Sequence, residues 1–441
     1  MSRIAVVGMG YVGLPTAAGL AALGHDVIGC DFNQIKVDKL NAGVSTIHEI
    51  GLDELLFKSR ASGRLTFVSS APLAVKDAEF IFVCVPTPQC ADGSVDLSHI
   101  NAVVDEIGPY LRTASVLLTK STVPIGTSRQ ITRRLARPDV TVVSNPEFLR
   151  EGTAVEDFLR AERVVVGADA AATSRAVGRL YARTDAPIIS VSPESAEFAK
   201  YAANAFLAMK LSFVNEISAM CEAFGADVGE VVAAVGADSR IGIGFLQPGP
   251  GWGGSCLPKD SAALLQAARS VHLEPSLLRE TIRDNERQFA RIVDKVCRAV
   301  GGSLSGRTLT VWGLTFKAGT DDLRMSPSLE IANLLIARGA SIRAFDPMVA
   351  RDGPSLGAGI TLCSDVYTAC EGSSAILVLT EWPQFAEIDL HRAATLMVSR
   401  AVIDARRIID PAKAIAAGFL LDRIGSGLIE EKGAGIKEDA A

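Results

Sequence analysis

Cys256 stands in a segment whose residue types suit nucleophilic chemistry: Gly251-Trp252-Gly253-Gly254-Ser255-Cys256-Leu257-Pro258-Lys259-Asp260, a glycine-rich turn that leads into a helix. A thiol at a helix N-terminus faces unpaired N–H groups and the positive end of the dipole, and both favour the thiolate. Pro258 suits the first turn of a helix that continues through Ser261-Ala262-Ala263-Leu264-Leu265, and Asp260, four residues on, shares the cysteine's face. The glycines read as bare backbone where a substrate can approach. A buried structural cysteine is the plain alternative, because free cysteines are among the most buried residues.

A second motif favours chemistry. Ile4-Ala5-Val6-Val7 is an apolar run suited to a buried parallel strand, followed at once by Gly8-Met9-Gly10-Tyr11-Val12-Gly13 and then by the helical residues 14–24. Strand, glycine loop and helix in this order are a dinucleotide fingerprint: Gly8 makes the turn, Gly10 admits a pyrophosphate to the backbone and Gly13 allows close helix–sheet packing. The next strand, Val27-Ile28-Gly29-Cys30, ends on Asp31, which suits a ribose 2′-hydroxyl and repels a 2′-phosphate. NAD is therefore expected over NADP, with Lys36 the one nearby residue that weakens the preference.

These residues need a sheet to position them. Further strands are expected at residues 80–85, 115–119 and 141–144, and ligands of such sheets bind at the carboxyl ends of strands. Those ends carry Pro86-Thr87-Pro88, Lys120-Ser121-Thr122-Val123-Pro124 and Asn145-Pro146-Glu147-Phe148-Leu149-Arg150-Glu151-Gly152. From Ser192, a candidate N-cap, and Pro193, the chain runs without Gly or Pro to Phe224 and stops at Gly225, a rod of roughly 46 Å. Its apolar residues, among them Ala199, Ala202, Ala203, Phe206, Leu207, Leu211 and Phe213, occupy much of its circumference, so burial as an inter-domain spine, or as a dimer interface, is expected. Lys200 and Asn204, at i and i+4, could place an ammonium and an amide over one substrate oxygen; a solvated patch is the plain alternative. Another strand–loop–helix series begins at 307–314, with Asp346 at a strand end comparable to Asp31 but without the glycine fingerprint, and points to a second α/β domain for a different phosphorylated ligand.

The expected architecture is two Rossmann-like, doubly wound parallel-sheet domains joined by a long central helix and a helical middle domain. Boundaries are expected at residues 1–190, 191–302 and 303–424, with a disordered tail over 425–441. Composition agrees with an enzyme of several domains: 441 residues, 48% apolar, mean hydropathy +0.27. A net charge of −6 and a pI near 5.6 argue against nucleic acid or an anionic membrane as partner. Eight scattered cysteines without zinc spacing read as cytosolic thiols, and five histidines without ligand spacing make a metal site or a Ser-His-Asp triad improbable on this pattern. With no leader-like N-terminus and no run of 18 apolar residues, a cytoplasmic location is expected.

Residues 8–13, 120–124 and 145–152, Lys200 with Asn204, and residues 253–260 and 315–324 follow one another in an order that resembles the UDP-glucose/GDP-mannose dehydrogenases. The resemblance spans residues 4–407. It implies oxidation of a sugar C6 alcohol to a carboxylate with two NAD⁺ per turnover, Cys256 trapping the aldehyde level as a thiohemiacetal whose oxidation gives a thioester that water cleaves. On that resemblance Lys200 and Asn204 stabilise developing negative charge, Asp260 and Thr122 hold a water, and Glu147 or Glu151 does acid/base work in the hydrolysis. Cofactor contacts are implied for Gly8, Gly10, Tyr11, Val12, Gly13, Asp31, Lys36, Val85, Pro86, Thr87, Pro88, Ser121, Thr122, Glu151 and Arg324. Substrate contacts are implied for Glu147, Phe148, Leu149, Arg150, Lys200, Asn204, Phe245, Leu246, Gln247, Gly249, Trp252, Gly253, Phe316, Lys317 and Arg406, with Arg240 reaching across a homodimer to the nucleotide-sugar phosphates.

Three departures touch substrate contacts rather than the chemistry. Gln247 and Gly249 replace a Lys and a Ser of some relatives, Ala161-Glu162-Arg163 replaces Pro-Asp-Arg, and Ala405 stands where Gly is common. Asn145-Pro146-Glu147 with Glu151-Gly152 and Thr320-Asp321-Asp322 looks like the UDP-glucose branch; UDP-hexosamine and GDP-mannose oxidation are the alternatives within the family. Outside it, a 6-phosphogluconate-type hydroxyacid dehydrogenase shares the Rossmann domain and long helix but needs no thiol, and a non-catalytic NAD-binding regulator would have lost Cys256 or the Lys200/Asn204 pair.

Overall fold

The computed structural model describes residues 1–350 and 356–429. The chain divides into two compact units: Met1–Ala205 with Lys259–Pro275, and Phe206–Pro258 with the chain from Ser276 onward.

The first unit is built on eight strands: β1 (Arg3–Val7), β2 (Asp26–Cys30), β3 (Leu65–Val68), β4 (Phe80–Val83), β5 (Val116–Thr119), β6 (Thr141–Ser144), β7 (Val164–Gly167) and β8 (Ile188–Val191). Their order in the sheet is β3-β2-β1-β4-β5-β6-β7-β8. Continuous apolar strands are what a parallel sheet covered on both faces requires, and all four residues of β4, Phe-Ile-Phe-Val, are buried. One face packs Leu14, Leu20 and Phe158, the other Ile81, Ile100 and Val104. Strand order reverses between β1 and β4, the topological switch at which open α/β sheets bind ligands. The sheet is parallel except at β6 and β7, which meet antiparallel through Ser144 and Gly167. The strand expected over 80–85 ends at Val83, and Pro86 and Pro88 just beyond it have no N–H to offer a ladder.

The second unit repeats the plan with β9 (Thr308–Trp312), β10 (Ser341–Phe345), β11 (Ile360–Leu362), β12 (Ile376–Val378), β13 (Ala401–Asp404), β14 (Leu420–Arg423) and β15 (Gly427–Ile429), ordered β11-β10-β9-β12-β13-β14-β15. Only β15 is antiparallel. It corrects the expectation of a disordered tail beginning at 425. The glycines there form a hairpin turn held from outside: Gly425 donates its N–H to Glu222 at 2.8 Å, its carbonyl accepts from Val228, and Arg407 donates to Ile424 O and Ser426 Oγ, each at 2.8 Å. Residues 430–441 of the expected tail lie outside the described residues.

The long helix is Pro193–Phe224, 32 residues and about 48 Å. Ser192 Oγ accepts the N–H of Ser195 at 3.2 Å, the expected cap. Its burial departs from expectation. Phe198, Phe206, Phe213, Met220 and Phe224 are exposed, from 47% to 85%, whereas Glu197, Lys200, Asn204, Ser212 and Asn215 are buried. The helix hides polar residues and shows aromatic ones, which periodicity of apolar residues alone does not reveal. No helix of the described residues is long and apolar enough to cross a membrane.

Candidate active site

The loop after β1 has the steric character of a dinucleotide cradle. Gly8 adopts φ +98°, a Cβ on it would stand 2.7 Å from the carbonyl oxygen of Cys84, and a Cβ on Gly13 would overlap the carbonyl oxygen of Gly8. Beside Gly10 nothing lies within 4 Å of a Cβ position, leaving room for a pyrophosphate against the N-terminus of helix Gly13–Ala22. The residues therefore fit NAD. Asp31 follows β2; Oδ2 accepts the Met9 N–H at 3.1 Å and pairs with Lys36 Nζ at 3.0 Å, while Oδ1 accepts the Asn33 N–H at 3.1 Å. The expected ribose acceptor is thus also the tether of the glycine loop, and Lys36 neutralises it.

Val12 O accepts from the Thr16 hydroxyl at 2.7 Å, and Tyr11 beside it is half-buried. Across β4 and β5, Ser121 Oγ donates to Val85 O at 2.7 Å and Thr87 Oγ1 donates to Thr122 O at 2.9 Å, with Pro86 and Pro88 exposed. The structure brings these expected cofactor residues into one unit. Arg324 belongs to the second unit, where it pairs with Asp322 at 2.7 Å.

The buried face of the long helix carries the charged groups. Lys200 Nζ pairs with Glu147 at 2.9 Å, both side chains being 5% exposed. One turn on, Asn204 Nδ2 donates to Asp260 Oδ2 at 2.6 Å, and Lys259 Nζ holds the other carboxylate oxygen, also at 2.6 Å. Asp260 is fully buried in the first turn of helix Leu257–Ser270, which begins one residue after Cys256. Lys200 and Asn204 are therefore not a solvated patch. Glu147 Oε2 accepts the Leu149 N–H at 2.6 Å, which folds the loop back and leaves Oε1 for Lys200. Phe148 lies between cations, with Arg163 4.0 Å and Lys200 5.4 Å from its ring centre. Arg163 thus keeps a structural contact within the departing Ala161-Glu162-Arg163 segment. Arg150, expected at substrate, pairs with Asp157 at the surface. Glu151 is half-buried, next to Gly152, whose N–H donates to Glu49 at 2.8 Å.

In the second unit the segment before Cys256 is built differently from what its glycines suggest. A Cβ on Gly254 would meet the Phe316 ring at 2.8 Å, and one on Gly253 would overlap Met325 O. These glycines allow close internal packing: Gly254 is buried and donates its N–H to Met325 O at 3.2 Å, whereas Gly253 stays half-buried. Trp252 and Leu246 are buried as well: the Trp252 indole N–H donates to Ser212 Oγ at 2.9 Å, and Leu246 packs with Val214, Cys221, Val228 and Val232. Both side chains are packed into the core of the second unit. Gly249 is clamped on both backbone groups, its N–H by Asn215 Oδ1 and its carbonyl by Gln288 Nε2, each at 2.8 Å. Gln247 is exposed, Phe245 sits at φ +60°, and Arg240, 88% exposed, pairs with Asp238 at 2.6 Å. Arg406 donates to Leu379 O at 2.8 Å and Phe316 O at 3.2 Å, and Lys317 lies 5.5 Å from the Phe316 ring centre. Ala405 is fully buried, so the methyl that replaces the usual Gly fills core.

Asp346 does follow β10 as Asp31 follows β2, and it too accepts from the loop after the preceding strand, from Leu314 N–H at 2.7 Å and Thr315 N–H at 3.0 Å. The Thr315 hydroxyl and the Trp382 indole bind the same oxygen, and the other accepts the Met348 N–H at 2.9 Å, so this carboxylate is consumed internally. Residues without a role on sequence grounds also emerge. Lys120, at the end of β5, is buried with Nζ 3.4 Å from Asn145 Oδ1 and 3.5 Å from the Tyr181 hydroxyl, and burial pushes its ammonium down to about 8. Glu49 caps the segment after Glu151 through Gly152 and Ala154 N–H groups. Glu49 carries no sequence signal beyond a charge in a turn-rich stretch, and Lys120 none beyond its place at the head of the 120–124 motif.

Known proteins agree with this organisation. Residues 2–185, 194–287 and 310–411 match, in turn, the NAD binding, central and UDP binding domains of the UDP-glucose/GDP-mannose dehydrogenase family. The chain is 41% identical over 431 residues to the UDP-glucose 6-dehydrogenase TuaD of Bacillus subtilis (strain 168), a match that covers 96% of this chain and 93% of that protein. Among solved structures, a UDP-glucose dehydrogenase from Pyrobaculum islandicum has a TM-score of 0.87 at 38% identity, covering 92% of this chain and 95% of its own. A UDP-D-ManNAc dehydrogenase from Pyrococcus horikoshii has a TM-score of 0.86 at 28% identity, covering 96% and 99%. With its glycine cradle, its second sheet and these matches along nearly the whole chain, the protein belongs to the UDP-glucose/GDP-mannose dehydrogenase family.

Proposed function

We propose that the chain oxidises the C6 alcohol of UDP-glucose to the carboxylate in the cytoplasm, with Cys256 as nucleophile. The observation that carries this reading is Asp260: fully buried, bonded to Asn204 and Lys259, and four residues from Cys256 on the helix that the cysteine precedes. The Gly8–Gly13 loop and Asp31 would hold NAD⁺, which would supply the hydride acceptor for each of the two oxidations, a second NAD⁺ replacing NADH between them.

The chain's residues do the rest. At the alcohol, Lys200 and Asn204 stabilise negative charge on the oxygen as its proton leaves, with a water between Thr122 and Asp260 taking part in the proton transfer. The Cys256 sulfur then adds to the aldehyde carbon and the oxygen takes a proton, giving a thiohemiacetal. Loss of a hydride and a proton leaves a thioester. Water, deprotonated by Glu147 or Glu151, adds to that carbonyl, the C–S bond breaks, and carboxylate and thiol are released. The Glu147–Lys200 ion pair favours Glu147 for orienting Lys200, which leaves Glu151 for the base.

Sugar choice follows the relatives of highest similarity given above, and 28% identity to a UDP-D-ManNAc dehydrogenase keeps hexosamines as the second reading. A homodimer is also proposed, supported by the exposed aromatic residues of the long helix and by Arg240, 88% exposed and held by Asp238 at the surface, where another protomer can meet it. The test is stoichiometric. With UDP-glucose, UDP-N-acetylglucosamine and GDP-mannose offered separately, two NADH per UDP-glucose and no aldehyde caught by a carbonyl trap are expected. One NADH with a trappable aldehyde would sink the thiol mechanism, and faster turnover of either other sugar nucleotide would sink the substrate assignment.

A further inference from the structure

Glu197 lies one turn before Lys200 on the buried face of the long helix and has no part in the chemistry above. It is 2% exposed. Its Oε2 accepts the Gly126 N–H at 2.6 Å, and its Oε1 accepts both the N–H and the hydroxyl of Ser128 at 2.7 Å. These donors open helix Thr127–Leu135, whose own first turn contains no acidic residue and whose first N–H groups have no partner within the helix. A carboxylate from a distant part of the chain therefore closes the entry to this helix.

Residues 120–126, which lead into that helix, include Thr122. At the other side the same loop is pinned by Thr87 Oγ1 on Thr122 O and by Ser121 Oγ on Val85 O. Along the long helix, 197, 200, 201 and 204 fall on one face, at i, i+3, i+4 and i+7. The Glu197 clamp thus fixes the Thr122 loop to the same two turns that present Lys200 and Asn204. All three donors are dipoles rather than cations, and burial raises the carboxyl's pKa against their pull. A local Ser or Asp would cap the helix at lower desolvation cost. Capping alone is therefore a poor account of a buried glutamate here.

We propose that Glu197 is a positioning residue that sets the separation between Thr122 and the Lys200–Asn204 pair by bracing the 120–128 segment against the long helix. This rests on the reading of Thr122, Lys200 and Asn204 under the proposed function.

Glu197→Gln keeps the shape but turns one acceptor oxygen toward the N–H donors as an amide donor, so at least one clamp bond is lost. The full-length variant is expected to show kcat lowered by about ten-fold or more, with KM for NAD⁺ and sugar nucleotide within about two-fold of wild type. Amide exchange over 120–128 should quicken while that of the long helix stays unchanged. In a Thr122→Ala background the same change should cost less than about two-fold, because the path is already cut. Equal losses in both backgrounds, activity that tracks only a lower folded fraction on melting, or unchanged exchange over 120–128 would overturn the proposal and leave Glu197 a helix cap. Failure of the underlying function is seen separately, as a wild type that makes no NADH from any of the three sugar nucleotides, and the exchange measurement still decides whether the clamp exists.

Discussion

Lys120 and Asp31 show how far a side chain's role depends on what faces it. Lys120 is pushed down to about 8 by burial, with Glu147 pulling the other way. Between pH 8 and the ordinary lysine value of 10.5 the folded protein holds a neutral amine while the unfolded chain still binds the proton, so stability contributed by this residue rises with pH across that window. The expected difference between wild type and Lys120→Met, read from urea midpoints at the two ends of the window, is on the order of 3 kcal/mol in favour of wild type at the alkaline end. A difference independent of pH would show that the ammonium is not held neutral. Asp31→Ala removes both the charge that opposes a 2′-phosphate and the tether on Met9 N–H, and releases Lys36. KM for NAD⁺ should rise, and the NAD⁺/NADP⁺ ratio of kcat/KM should fall by about ten-fold or more, worth ~1.4 kcal/mol. An unchanged ratio would place the adenosine ribose elsewhere. Cys256→Ser should lose turnover by about three orders of magnitude or more while still binding both ligands, as equilibrium titration would show.

The element that departs most from its expected setting is helix Pro193–Phe224. Its length, cap and stop follow from Ser192, Pro193 and Gly225, but its aromatic stripe faces solvent and its polar face is buried. Exposed Phe198, Phe206, Phe213 and Met220, seven or eight residues apart along one helix, make a surface that a second protomer would cover. A Phe206→Glu/Phe213→Glu variant is expected to sediment as a monomer and, if Arg240 acts across the interface, to lose affinity for the sugar nucleotide more than for NAD⁺. Wild type sedimenting as a monomer would remove the basis of this reading. The helix Gly13–Ala22 packs against the Gly8 carbonyl and Cys84 at a distance that leaves no space for a Cβ on Gly13. Gly13→Val should therefore abolish NAD⁺ binding, as dye-displacement titration would show, and lower the melting temperature of the first unit.

At the scale of the molecule, two parallel sheets with their own cores repeat one device, an aspartate after the second strand that binds the loop after the first. In the first sheet Asp31 holds a loop of glycines, open at Gly10, and in the second Asp346 holds Leu314 and Thr315 with no glycine cradle. The two matched domains differ accordingly, one for NAD and one for UDP. Hydrogen exchange should register this as separate footprints. NAD⁺ is expected to slow exchange over 8–13 and 83–88, and UDP over 313–320 and 404–407. UDP that protects the first sheet and leaves the second unchanged would contradict the division of labour.

The strands at 4–7, 27–30 and 141–144, the glycine loop and the extent of the long helix were legible in the sequence, because they depend on interactions a few residues long: apolar runs, caps, and glycine or proline at fixed offsets. Cys256, Lys200, Asn204 and Asp260 stood out there only as candidates, and the burial and partners of the last three came with the tertiary structure. Which face of the long helix is hidden, why Gly253 and Gly254 are glycines, and that residues 425–429 form a hairpin depended on partners far along the chain, Asp260, Met325, Phe316 and Glu222 among them. The same holds for Glu197, Glu49 and Lys120. A charged residue carries no local mark of burial, and its partners are backbone and side-chain groups brought to it only by tertiary folding, across 69 residues in the case of Glu197 and Ser128.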